Sequence, residues 1–188
     1  MESTGILTPD SAASVGWHDT NNVKADDGNT AWIDIAPGAD SGGIYVSDFD
    51  ADIPAGAVIK GLVAGIKRSA LYDGAVKDAQ VQLYYDGGFK GDDKASSDYW
   101  PASLATKTYG GVSDTWGLAL TDTIINNSAL TLFLKAHNHY GYLSLAYVDF
   151  MYIDVYYETW AHKACGIAMP SKVMGLSRSI LKKFIGVG

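Results

Sequence analysis

Apolar residues along this chain recur at every second position, in short runs closed by Gly, Pro, Asn and Asp, which is the periodicity of strands. The longest run, residues 146–157 (AYVDFMYIDVYY), contains neither Gly nor Pro. Taken two by two, it has one face of Tyr147, Asp149, Met151, Ile153, Val155 and Tyr157 and another of Ala146, Val148, Phe150, Tyr152, Asp154 and Tyr156. Both faces are largely apolar, so the run predicts a central strand covered on both sides.

Shorter runs surround it. Residues 30–36 (TAWIDIA) predict a strand that stops at Pro37-Gly38, and residues 42–54 (GGIYVSDFDADIP) continue the pattern to the turn Pro54-Ala55-Gly56. Val58–Ala70 has a helical alternative in Ile59, Val63 and Ile66, but Gly61 and Gly65 oppose a helix. A long strand is expected, with Val58, Leu62, Ala64 and Ile66 inward and the glycines at bulges or close contacts. Residues 79–85 (AQVQLYY) alternate Val81, Leu83 and Tyr85 with Gln80, Gln82 and Tyr84, a half-buried strand. Residues 130–136 (LTLFLKA) form another, turning through His137-Asn138-His139-Tyr140-Gly141. The polar residues 1–31 predict loops or short edge strands. The long connection 86–116, punctuated by aromatic residues, is expected to fold over the body and to hide a short strand or a functional loop. With no amphipathic helical stretch between the strands, the expected fold is all-β. An antiparallel β-sandwich or jelly roll spans residues 1–158 and a basic C-terminal extension spans 159–188.

Charge divides the chain at the same place. Beyond Glu158 there is no acid, while Lys163, Lys172, Arg178, Lys182 and Lys183 give the extension +5, so the net -7 of the whole chain leaves -12 on the body. An acidic body does not suit nucleic acid as a ligand, because phosphate needs a basic surface. No run of about 18 apolar residues exists, so no membrane span is expected. The opening MESTGILTPDSAAS joins no basic segment to an apolar one, and no signal peptide is expected there. The single cysteine, Cys165, has no partner for an intramolecular disulfide. The sequon Asn126-Asn127-Ser128 reads as turn chemistry.

The extension repeats itself: Lys172-Val173-Met174-Gly175-Leu176 and Lys183-Phe184-Ile185-Gly186-Val187 share a pattern at a spacing of 11. One reading is an arm of two Gly-ended apolar hooks that docks on a neighbouring subunit through Lys172, Val173, Leu176, Ile180, Lys183, Phe184 and Val187. The other takes Val173, Leu176, Ile180 and Phe184 as the stripe of a basic amphipathic helix.

Candidate chemistry is sparse. His137 and His139 are spaced to point the same way from a strand, as two metal ligands can, but no third ligand is evident nearby. Asp48, Asp50 and Asp52 alternate with Phe49 and Ala51, an arrangement able to hold calcium, although Ile53 and Ile59 stand where an EF-hand loop needs Gly and Glu. No G-x-S-x-G element or paired catalytic carboxylates stand out, so neither an enzyme nor a cofactor is expected. The surplus is aromatic. Trp100, Trp116 and Tyr109 are the candidate platform for stacking against sugar rings, although half-buried strands favour aromatic residues in any case, which is the first reading of them.

Three stretches together resemble a family of β-sandwich proteins of tailed bacteriophages and prophages. DFDADIPAGAVIKGLVAGIKRSA looks like its "F-x-I-P-x-G-A-x-I-x-G-I-x-V-x-I-x-R" segment, and GDDKASSDYWPASLATKTYGGVSDTWGLALT like its "G-x-x-K-A…W-P…Y-G-G-x-x-D-x-W-G" segment. AYVDFMYIDVYY looks like its closing "A-x-V-D-x-x-x-I-x-V-Y-Y" strand, so the likeness spans about residues 48–157. The extension is similar to the "K-x-N-G-V" repeats of phage surface proteins, with Met174 and Ile185 in the place of Asn. The resemblance implies a non-enzymatic virion protein, assembled in the host cytoplasm: a capsid decoration or accessory protein anchored to capsid or tail subunits by its arm, and a homo-oligomer. Its alternative is a tail- or fibre-associated module that binds a surface carbohydrate receptor. The motif residues Arg68, Lys94, Asp114 and the glycines are read as structural.

Overall fold

The computed structural model describes residues 1–159 together with 163–164 and 167–168. Ten strands make two five-stranded antiparallel sheets. Sheet I runs β1 (Glu2–Ser3), β10 (Ser144–Glu158), β5 (Val58–Ala70), β8 (Ala105–Gly111), with β3 (Ala31–Ile35) pairing with β10 beyond β1. Sheet II runs β2 (Ser11–Ser14), β4 (Asp40–Ser47), β9 (Thr131–Asn138), β6 (Val76–Tyr85), β7 (Gly88–Lys90). The inward positions of both, among them Ile44, Val46, Leu62, Ile66, Val81, Leu132, Leu134 and Ile153, are fully buried and form one core. The all-β sandwich expected from the alternation is therefore the fold. Past the body, β11 (Lys163–Ala164) pairs with β12 (Ile167–Ala168). The arm residues Lys172, Val173, Leu176, Ile180, Lys183, Phe184 and Val187, like Cys165, lie outside the described residues.

β10 is central, as its composition predicts, but its two faces are not those of a regular alternation. The register to β5 slips at Asp149, so that Val148 opposes Arg68 and Phe150 opposes Lys67. The extra residue swaps the faces. Ala146 and Val148 share the core with Met151, Ile153 and Val155, while Tyr147, Phe150, Tyr152 and Tyr156 point outward. On that outer side Phe150 is buried while Tyr147, Tyr152 and Tyr156 are half-buried, so the face is covered only in part. Asp149 is fully buried at the bulge. It accepts the Gly28 N–H at 3.0 Å and pairs with Lys67 Nζ at 2.6 Å. Hydrogen bonds to Asp149 and then to Asp26 push the Lys67 ammonium up to about 12.

β5 is the long strand expected, with Leu62, Ala64 and Ile66 fully buried, although Val58 is 40% exposed at its start. Its glycines mark close approach. A Cβ at Gly65 would stand 2.1 Å from the Tyr152 ring, and one at Gly61 2.3 Å from the Gly111 carbonyl oxygen. The strand predicted over 42–54 ends early, at Ser47, because Asp48 and Asp50 take positive φ and turn the chain away. Asn126 ties this loop to the next. It donates to the Ile53 carbonyl at 2.8 Å and accepts the Ile53 N–H at 2.9 Å, a long-range tie, while the turn chemistry expected of the sequon is made by Asn127, whose Oδ1 accepts the Ala129 N–H at 2.9 Å. The connection 86–116 holds β7 and β8, and a four-residue helix at Asp122–Ile125, capped by Thr121, follows it.

Residues that the sequence scatters meet between the sheets. Asp78, on β6, accepts from Trp100 Nε1 at 2.8 Å, from the Tyr109 hydroxyl at 2.9 Å and from the Ser96 N–H at 2.9 Å. Arg68, on β5, brings Nη1 to 3.1 Å from the same carboxylate, and its guanidinium lies 4.8 Å from the Trp100 ring centre. All four side chains are buried, so this charged cluster joins the sheets. Burial, then the Asp78 charge, drives the Tyr109 phenol far up. A second junction forms where the Trp116 indole donates to the Leu62 carbonyl at 2.9 Å, beneath Gly110. Lys94 and Asp114 pair above it at 2.8 Å.

Candidate functional site: the outer face of sheet II

The same alternation that buries Val81 and Leu83 sends Gln80, Gln82 and Tyr84 to the outer face of sheet II. Pairing then fixes their neighbours. Tyr84 opposes Thr131 and Phe89, Gln82 opposes Phe133, which opposes Tyr45, and Gln80 opposes Lys135, which opposes Gly43. The next pair along β6 and β9 is Lys77 and His137. The face thus grades from rings at one end, through amides, to charged groups at the other.

At the aromatic end, ring centres of Tyr45 and Phe133 are 4.7 Å apart, those of Phe133 and Phe89 4.8 Å, and those of Phe89 and Tyr84 5.3 Å. Phe133 lies flat on Gly43, where a Cβ would be 2.2 Å from the ring, and is itself nearly covered. Phe89, on the short edge strand β7, is 43% exposed. Tyr45 and Tyr84 are half-buried, and their hydroxyls have no hydrogen-bond partner among the described residues. Beside the rings, Gln80 Nε2 donates to the Gln82 side-chain oxygen Oε1 at 2.7 Å and Gln82 Nε2 donates to the Gly91 backbone carbonyl at 2.7 Å, which fixes the orientation of both amides. At the far end Asp40 pairs with Lys135 Nζ at 3.0 Å and with His137 Nδ1 at 2.8 Å. Burial pushes the Asp40 carboxyl up, but hydrogen bonds from His137 and Lys135 outweigh it and hold it below the usual carboxylate range. Asp40 offsets Lys135, and Lys77 leaves this end with a small positive excess. An open, ringed, amide-bearing and nearly neutral face suits a ligand with hydroxyls on its rim and C–H groups on its faces.

The candidate platform of Trp100, Trp116 and Tyr109 is not formed: all three are buried, two of them completely. Their indole N–H and phenol groups bond inward to Asp78 and Leu62, so these rings fill the sandwich rather than face a ligand. Asp48, Asp50 and Asp52 do not share a strand edge, and no group of three or more His, Cys, Asp or Glu that would hold a metal occurs among the described residues. Asp48 and Asp50 instead line a small hollow with Asn126, Asn127 and Ser128. His137 and His139 do lie together, ring centres 6.3 Å apart, but His137 is engaged by Asp40. Tyr45, Phe89, Phe133, Gln80 and Gln82 were not marked as binding residues by the sequence. The signal was present in AQVQLYY, whose wet positions are two amides and a tyrosine rather than charges.

No family model matches the chain and no curated protein matches it. Among solved structures, a CBM4 structure shares 11% identity at a TM-score of 0.47, over 77% of this chain and 94% of that one. The second N-terminal cellulose-binding domain from Cellulomonas fimi β-1,4-glucanase C shares 15% at 0.44, over 82% and 92%. A family 29 carbohydrate-binding module from Piromyces equi shares 10% at 0.35, over 81% and 91%. At these values the likeness is one of general sandwich outline and says nothing about a ligand of this chain.

Proposed function

We propose that this protein is a non-enzymatic carbohydrate-binding β-sandwich whose binding surface is the outer face of sheet II. The observation that carries the reading is the juxtaposition of outward rings (Tyr45, Tyr84, Phe89) with the hydrogen-bonded amides of Gln80 and Gln82 on one sheet. Rings take the apolar faces of a sugar and amides its hydroxyls, and a face built on strands keeps both in register. Asp40 offsets Lys135, Lys77 stands at the far end, and the ring and amide positions themselves carry no charge, which favours an uncharged glycan. Assembly into a virion through residues 159–188 has no support among the described residues, and the sheet face carries the glycan reading over it.

A glycan microarray probed with the full chain tests this. Binding to uncharged glycans is expected, and Tyr84→Ala with Gln82→Ala should lower it about tenfold or more, the loss of one stacked ring and one good hydrogen bond. A blank array, or binding unaffected by that double variant, would remove the reading.

A further inference from the structure

Exposed apolar side chains gather at one end of the sandwich. Leu71 and Tyr72 sit on the β5–β6 turn, Tyr140, Tyr142 and Leu143 on the β9–β10 turn, and Tyr99 where the long connection bridges to Lys77; each is more than two-fifths exposed, and Tyr142 reaches 73%. The turns beneath them are firmly tied. Asn138, itself fully buried, donates to the Ile35 and Tyr142 carbonyls at 2.8 Å and accepts the Tyr140 N–H at 2.8 Å. His139 N–H donates to Ala75 at 2.8 Å and Leu71 N–H to Leu145 at 2.9 Å. The rings are therefore held in water by a fixed base, which marks an interaction site rather than a loose tip.

Two features select the occupant. Tyr72 and Tyr140 have ring centres 6.3 Å apart at 31°, and Tyr140 and Tyr142 5.8 Å apart, so the cluster offers ring faces and hydroxyls, with Asp73 the one carboxylate on the turns 71–75 and 139–143. It is also continuous with sheet II. The His139 ring is 6.3 Å from His137 on the sheet face and 5.9 Å from Tyr99. We propose that Tyr72, Tyr140 and Tyr142 form a second carbohydrate subsite in series with the sheet face, making the protein selective for long chains of an uncharged glycan. This rests on the reading of the sheet face as a glycan site. β9 alone, Thr131–Asn138, spans roughly 25 Å at the usual rise per residue, so a short oligosaccharide seated on the aromatic end does not reach the tyrosines.

The test is affinity gel electrophoresis of the full chain in xylan, galactomannan, dextran and hydroxyethylcellulose, followed by titration with di- to hexasaccharides of whichever polymer retards it. The expected result is an affinity that keeps rising with chain length. Tyr72→Ala/Tyr140→Ala/Tyr142→Ala should lower polymer affinity about tenfold while leaving the disaccharide unchanged. Tyr142→Ala alone, at the most exposed position, should give part of that loss with an unaltered melting temperature. Wild-type binding that the triple variant leaves intact at every length would overturn the second subsite and spare the sheet face. Wild-type mobility unchanged in all four polymers would remove the sheet-face reading and this one with it. Concentration-dependent dimerisation in sedimentation, lost in the triple variant, would assign the tyrosines to a second copy and overturn the proposal.

Discussion

At the scale of single residues, the charges in this molecule divide into those that hold it and those that decorate it. Asp78 gathers an arginine, an indole, a phenol and a backbone N–H in a dry space. Removing it strands Arg68 without its counter-charge, and Asp78→Ala should cost about 3–5 kcal/mol in urea denaturation. Adding Arg68→Met should recover part of that loss; an additive further loss would show that the charge pair is not what the cluster relies on. Lys94 and Asp114 form the wetter case. The hydrogen bond from Lys94 holds the Asp114 carboxyl below its ordinary 3.8. A carboxylate lowered in the folded state stabilises fully above the unfolded value and ceases to do so as pH falls through the folded one. The melting temperatures of the wild type and Asp114→Asn should therefore differ at neutral pH and converge below 3.8. A gap that persists in acid would contradict the pairing.

At the scale of elements, period-two alternation carries most of the fold, because each strand reports its own burial. β3, β5, β6, β9 and β10 lie where the apolar spacing puts them. What the spacing hides is whatever depends on a distant partner. The bulge at Asp149 is held by Gly28 and Lys67, which meet that carboxylate, and by Asp26, which pairs with the same Lys67, and nothing in AYVDFMYIDVYY announces them. Trp100 and Trp116 stand in polar stretches and so read as exposed, yet their N–H groups meet Asp78 and Leu62 from other strands and draw the rings inside. The proposed binding face is hidden differently: its rings come from β4, β6, β7 and β9, one from each, and only sheet order brings them together. The glycines of β5 allow a direct check of that packing. Gly65→Ala should destabilise by about 1–3 kcal/mol through the Tyr152 ring. The cost should shrink in a Tyr152→Leu background, whereas equal costs in both backgrounds would place the strain elsewhere.

At the scale of the whole molecule, the two sheets present different outer surfaces. Sheet I turns Tyr147, Phe150, Tyr152 and Tyr156 outward but presses Tyr152 onto Gly65 and ties Asp154 to Ser3 and Thr4, so its rings are part of the scaffold. Sheet II leaves the hydroxyls of Tyr45 and Tyr84 and the face of Phe89 available, beside two oriented amides. We propose that this second surface takes sugar, and a two-dimensional NMR titration of the isotopically labelled chain with the oligosaccharide that binds best puts it to the test. Shifts concentrated on the backbone of β4, β9 and β6 around Tyr45, Phe133, Gln82 and Tyr84, with sheet I unmoved, are the predicted result. Shifts centred on the outer face of sheet I, or a spectrum unchanged at saturating sugar, would contradict it.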